Sequence, residues 1–120
     1  MFKKEIRIVF YTNKFLEMKN FYSHVLKLNM FKEFQHDDAP SGVVYEMGSI
    51  YIELLELKTH NGYKSDSYLY VEVNNVEQFY NEIKLQYVVV EELEIFPWGH
   101  TSFSILDPDG NKLKFFSQIV

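Results

Sequence analysis

The sequence predicts an α+β protein of two βαβββ modules whose strands form a curved mixed sheet around a cleft. Three observations carry this expectation. Short runs alternate apolar and polar residues, two apolar stripes recur at helical spacing, and the order of these elements repeats once along the 120 residues. Residues 1–120 are expected to form a single domain, with a first module over 5–57, a connector over 58–66 and a second module over 67–118.

The first element is EIRIVFYT, where Ile6, Ile8 and Phe10 fall on one face and Glu5, Arg7, Val9 and Tyr11 on the other. That alternation is the mark of a half-buried strand. Thr12 and Asn13 are good helix caps, and Phe15, Met18, Tyr22 and Val25, with Phe21 beside them, form a helical stripe expected to run to about Lys27. MFKEFQH, GVVYEM and SIYIELLEL then supply three strands, divided by DDAPSG and by Gly48-Ser49.

A polar connector, THNGYKSDS, carries an Asn-Gly turn signal, and the pattern begins again. YLYVEV alternates, Asn74 and Asn75 can cap, and Val76, Phe79, Tyr80 and Ile83 form the second stripe. YVVVEELEIF, HTSFSIL and NKLKFFSQI complete the module. A shift of 61 positions carries Asn13 to Asn74, and Ile8, Ile52 and Leu54 to Leu69, Leu113 and Phe115. The same shift carries Arg7 to Tyr68 and Glu53 to Lys114, all four on faces opposite the helix-packed ones. With one helix per sheet, the uncovered faces are expected to line a shared cleft.

Composition narrows the partners. Zero cysteines exclude disulfides, thiolate chemistry and cysteine-held metals. A net charge of −5 without a Lys/Arg run argues against nucleic acid. MFKKEIRIVF enters a strand with no apolar run suited to a signal peptide or membrane span, so the expected location is cytoplasmic, with no membrane partner. Phe 11, Tyr 9 and Trp 1 exceed what a β-rich core alone asks for and leave aromatic surface for a ligand.

Two segments carry a family resemblance. NFYSHVLKLNMFKEF is similar to the helix-to-strand segment of the vicinal-oxygen-chelate superfamily, usually ending in a Leu-Gly-Leu/Met-like step, and SFSILDPDGNKLKFF resembles its C-terminal hairpin. That superfamily includes glyoxalase I, extradiol dioxygenases, fosfomycin-resistance enzymes and bleomycin-resistance proteins. The resemblance covers essentially the whole chain and implies the glyoxalase/bleomycin-resistance fold. Asp107, Pro108, Asp109 and Gly110 also make a good turn by themselves and report fold rather than chemistry.

In metal-dependent members four ligands come from the first and last strand of each module, and the resemblance places these positions at Arg7, Glu53, Tyr68 and Lys114. Of the four, Glu53 alone is a good hard-cation ligand. Arg7 is always protonated, Lys114 lacks a lone pair when charged, and Tyr68 binds only as phenolate. No metal and no other cofactor is therefore expected. His24, His36 and His60 lack ligand spacing and are expected on the surface. FPWGHTSFSILDPDGN closely resembles a run in metal-free bleomycin-resistance proteins, which brings Trp98, His100 and Ser102 into the candidate site. Tyr11, Tyr51, Tyr70 and Phe116 share faces with the quartet and complete the expected ligand-binding set; Lys112 shares that face too.

The expected function is metal-free binding of a small molecule, as in drug or metabolite sequestration, in a cleft at a homodimer interface. The quartet's single net positive charge favours an anionic ligand at short range. Two enzymatic alternatives within the same superfamily, lyase-, isomerase- or dioxygenase-like, stay open: a metal-independent enzyme with Glu53 as base, and an enzyme with a non-standard metal site. A carboxylate flanked by two cations makes a poor base, which ranks the first of these below binding.

Overall fold

Alternation in RIVFYT and in YLYVE produces two equivalent opening strands, each followed by a helix whose apolar stripe covers one face of its own sheet. The computed structural model describes residues 1–35, 37, 40–60 and 65–118. His36 and the Asn61-Gly62 turn signal lie outside the described residues. The chain divides into two compact units, Met1–Tyr63 and Lys64–Val120.

In the first unit, β1 (Arg7–Thr12) is followed by α1 (Phe15–Asn20), which runs on as a π-helical turn (Phe21–Val25). Strands β2 (Asn29–Phe34), β3 (Gly42–Met47) and β4 (Ile50–Glu56) complete a four-stranded sheet of order β1-β4-β3-β2. β1 and β4 are parallel and the other pairs antiparallel, so the sheet is mixed. Phe15, Met18, Phe21 and Tyr22 from the helix are buried, as are Val43, Tyr45, Ile52 and Leu54 from the sheet face it covers. The Tyr45 hydroxyl donates to the Lys19 carbonyl at 3.1 Å and lies 2.6 Å from Ser23 Oγ, tying helix to sheet. Burial there pushes the Tyr45 phenol above its usual pKa.

The cap differs from the expected one. Asn13 Nδ2 donates to the His60 carbonyl at 3.0 Å, and Thr12 Oγ1 instead accepts from the Lys14 amide at 2.9 Å. At the other end Lys27 adopts a φ of 57°, and the Leu28 amide closes back to the Tyr22 carbonyl at 3.0 Å. This closure over a left-handed residue, one residue wider than the six-to-one bond of an α-helical end because the last turn is π-helical, ends the helix before Lys27.

The second unit repeats the plan with β5 (Tyr68–Glu72), α2 (Val76–Lys84), β6 (Glu91–Ile95), β7 (His100–Leu106) and β8 (Lys112–Gln118), in the order β5-β8-β7-β6. Asn75 caps α2 by accepting the Gln78 amide at 3.1 Å. The helix seats Phe79 edge-on to Phe115, ring centroids 4.9 Å apart, with Tyr80 against Phe103 at 5.3 Å. β6 starts later than the alternation suggested, because the Tyr87 amide still closes the last helical turn onto the Ile83 carbonyl at 2.8 Å.

The duplication extends to register. Arg7 pairs with Tyr51 and Val9 with Glu53 across the parallel strands of the first sheet; Tyr68 pairs with Lys112 and Tyr70 with Lys114 across those of the second. The β7–β8 turn is held by Asp107, whose buried carboxylate accepts the Asp109 and Asn111 amides at 3.0 and 2.9 Å and Asn111 Nδ2 at 2.8 Å. Gly110 takes a φ of 88° there, which a side chain would strain. Among the described residues no helix is long and apolar enough to cross a membrane.

Candidate functional site

In each unit one face of the sheet carries the helix, and the opposite face carries the polar and aromatic side chains singled out in the sequence. On this open face of the first unit, Arg7 Nη1 donates to Glu53 Oε1 at 2.9 Å, and Arg7 Nη2 meets Glu5 Oε2 at 2.9 Å. Glu53 is buried and Arg7 about one-third exposed. The Glu53 hydrogen bond holds the guanidinium above its usual pKa, against a smaller opposing effect of desolvation. Tyr51 meets the Phe31 ring at 5.0 Å, and half-exposed Tyr11 lies 6.5 Å from the His60 ring.

The open face of the second unit is aromatic at its centre. Tyr70 stacks on Phe116 with centroids 4.3 Å apart and planes at 9°, and His100 stacks on Phe116 at 4.2 Å. The Tyr70 hydroxyl lies 2.5 Å from His100 Nδ1, so three side chains from three strands form one flat cluster. Tyr68 and Lys114 take different partners. Lys112 Nζ sits 4.8 Å from the Tyr68 ring centre, whereas Lys114 Nζ sits 4.8 Å over Phe96. Trp98, in the β6–β7 turn, stacks on Phe96 at 4.7 Å, and Gly99 with a φ of 90° lets the chain reverse directly after it.

Beside this cluster a cleft of about 310 Å³ opens along β6, with Glu91, Glu94, Phe96, Ser102 and Lys114 on its walls. Glu91, Glu94 and Phe96 were not among the expected site residues. Strict alternation places residues 91 and 94 on opposite faces, yet they pair with Ser104 and Ser102, which share one face. A bulge between the two glutamates inserts the extra residue that aligns them. The sequence signal for this cleft is the density of carboxylates in EELE, not its periodicity. Glu91 Oε1 accepts from Lys112 Nζ at 2.8 Å and from Ser104 Oγ at 2.5 Å, and these bonds, the lysine's foremost, hold its carboxyl below the usual pKa. The Ser102 hydroxyl is buried and makes no hydrogen bond to any described residue.

The four positions at which the family resemblance would place metal ligands do not suit a divalent ion. The one carboxylate among them is engaged by a guanidinium, and a cation bound to Glu53 would lie against the positive charge of Arg7. Among the described residues no three His, Asp or Glu side chains group as metal ligands do.

Similarity to known proteins agrees with this architecture. The family model for the glyoxalase-like domain matches residues 5–119. No curated protein sequence matches the chain. Lactoylglutathione lyase from Agrobacterium tumefaciens superposes with a TM-score of 0.67 at 17% identity, over 93% of this chain and 91% of that one. A glyoxalase/bleomycin resistance protein/dioxygenase from Nocardioides gives 0.70 at 11% identity, over 94% and 82%. The YycE protein of unknown function from Bacillus subtilis gives 0.71 at 25% identity, over 93% and 88%. With a family model spanning nearly its whole length and two mixed sheets of matching βαβββ order, the chain belongs to the glyoxalase-like domain family of the vicinal-oxygen-chelate superfamily.

Proposed function

We propose that this chain is a metal-free small-molecule-binding protein that sequesters a drug or metabolite without turning it over. The observation that carries this reading is the Arg7–Glu53 ion pair at 2.9 Å. It occupies, with its own counter-charge, the carboxylate that a metal-dependent relative would offer to an ion. The same pair argues against Glu53 as a general base, since a carboxylate already bonded to a guanidinium must give up that bond before it takes a proton.

The Tyr70–His100–Phe116 stack supports binding, since flat aromatic surface with a few fixed polar groups is the usual make-up of a small-molecule site. Tyr11, Tyr51, Tyr68, Trp98, Ser102 and Lys114 are the further contacts this reading assigns. Fold does not choose between binding and catalysis, because a lyase and a resistance-type protein both share it. We propose a cytoplasmic protein, and a homodimer on its resemblance to bleomycin-resistance proteins, whose clefts form across a subunit interface. Light scattering of the purified chain reads the dimer directly.

The test is metal content. The untagged protein is incubated with nickel, manganese, iron and zinc in turn, desalted, and assayed by mass spectrometry for bound metal. Retention below about a tenth of an equivalent is the expected result. Near-stoichiometric metal that Glu53→Ala abolishes would return the protein to the metal-dependent enzymes.

A further inference from the structure

We infer that the cleft along β6 takes a small planar organic cation of the amidinium or guanidinium class. This rests on the reading above that the chain binds a small molecule, and it supplies that molecule's charge and shape.

The charge follows from who is already paired. Glu91, Glu92 and Glu94 line the cleft, with Lys114 as its one lining cation among the described residues. Glu91 is satisfied by Lys112 and Ser104, and Glu92 accepts from the Tyr80 hydroxyl. Glu94 remains as the carboxylate available to a ligand, directly opposite Ser102 in the strand register. An anion entering here would meet the Glu94 carboxylate, Glu91 being neutralised by Lys112 and Glu92 turned to Tyr80 of α2. A cation would gain from Glu94, an exposed carboxylate whose pairing is solvent-screened.

The shape follows from Ser102 and Glu94, which stand opposite each other in the strand register. The Ser102 hydroxyl is buried in the cleft without a hydrogen-bond partner among the described residues, an arrangement that is costly unless something else supplies one. An amidinium carries N–H donors in one plane. One can reach the Glu94 carboxylate and another the Ser102 oxygen, beside the Phe96 ring whose faces carry Trp98 and Lys114. Lys114 Nζ is drawn over that same ring at 4.8 Å, which keeps its charge on the aromatic face rather than at Glu94. The sign is opposite to that of the Arg7, Glu53, Tyr68 and Lys114 quartet, because the sequence pattern did not place Glu91 and Glu94 together.

Trp98 is the chain's sole tryptophan and stacks on Phe96 at 4.7 Å, so its fluorescence reports on the cleft. The full chain is titrated with benzamidinium chloride, benzamide and sodium benzoate, followed by that signal and by calorimetry. Benzamidinium is expected to bind at least about tenfold more tightly than the other two, as a charge-assisted pair to one carboxylate provides. Glu94→Gln should remove about that tenfold, Ser102→Ala should weaken binding less, and Lys114→Gln should strengthen it by relieving repulsion. Glu94 is exposed, and an unchanged thermal transition in Glu94→Gln separates lost contact from lost fold.

Absence of benzamidinium binding, or binding that Glu94→Gln leaves untouched, overturns the inference. Tighter binding of benzoate that Lys114→Gln weakens also overturns it, while leaving the binding-protein reading intact. That broader reading instead fails on Glu53-dependent metal, whatever benzamidinium does.

Discussion

Arg7 and Glu53, 46 residues apart in sequence, meet at 2.9 Å across two parallel strands without being direct register partners. Arg7 stands opposite Tyr51, and Glu53 stands one pleat further along the same face, opposite Val9. The guanidinium therefore reaches diagonally, a span that suits a long side chain. Its second arm remains on Glu5 at 2.9 Å. The carboxylate, by contrast, is buried, with the arginine as its one charged partner among the described residues.

That asymmetry predicts unequal costs for the two deletions. Arg7→Ala leaves a buried carboxylate without its counter-charge and should destabilise by about 2 kcal/mol. Glu53→Ala leaves a partly exposed guanidinium that still has Glu5 and solvent, and should cost under about 1 kcal/mol. Urea denaturation of both variants and of the double variant gives the two costs and their coupling. Equal costs would mean that the carboxylate is solvated in the free protein and that the pair does little to close the site.

The architecture was legible because duplication is a long-range signal that single residues do not blur. The shift of 61 positions read from Asn13 and Asn74 relates the parallel registers too, carrying the Arg7–Tyr51 pair onto Tyr68–Lys112. Inward and outward faces followed from alternation wherever the pleat is unbroken, as in β1, β5 and β8. Alternation fails at a bulge. The one in β6 turns Glu91 and Glu94 to the same side, and nothing in EELE marks where the extra residue sits. Partner choice was equally hidden for Lys114, whose flexible four-carbon stem lets it settle over Phe96 rather than on Tyr68. Helix ends were half visible: Asn75 caps as its residue type suggests, whereas Asn13 is used to anchor His60 instead.

Lys27 shows what a side chain costs in a left-handed backbone position. Its φ of 57° places a residue with a Cβ in the left-handed region, where only glycine is free of the clash with the neighbouring carbonyl. Lys27→Gly should therefore stabilise the protein, although glycine's greater freedom in the unfolded chain offsets part of the gain, leaving about 0.5–1 kcal/mol. The expected reading is a raised urea midpoint with an unchanged slope. A lowered midpoint would show that the lysine side chain contributes packing or charge that outweighs its backbone strain.

Glu91 gives the second unit an acid-sensitive latch. Its carboxyl is held below the ordinary value of 4.5, first by the Lys112 hydrogen bond and then by the Ser104 hydroxyl, against a smaller effect of burial. A depressed folded-state pKa means that the folded protein binds the proton less readily than the unfolded chain does. The stabilisation is thus fully present above the unfolded value, is lost as pH falls through the folded one, and is absent at still lower pH. Because the Glu91 side chain is about half exposed, the contribution is that of a solvent-screened pair, about 0.5 kcal/mol. Urea midpoints measured at neutral pH and below pH 4 should fall further in the wild type than in Glu91→Gln, which cannot titrate. The variant should also start lower at neutral pH, since Lys112 and Ser104 then face a neutral amide. Parallel acid losses in the two proteins would assign the acid sensitivity to other carboxylates and leave the Glu91–Lys112 pair without a measurable share in holding β6 against the sheet.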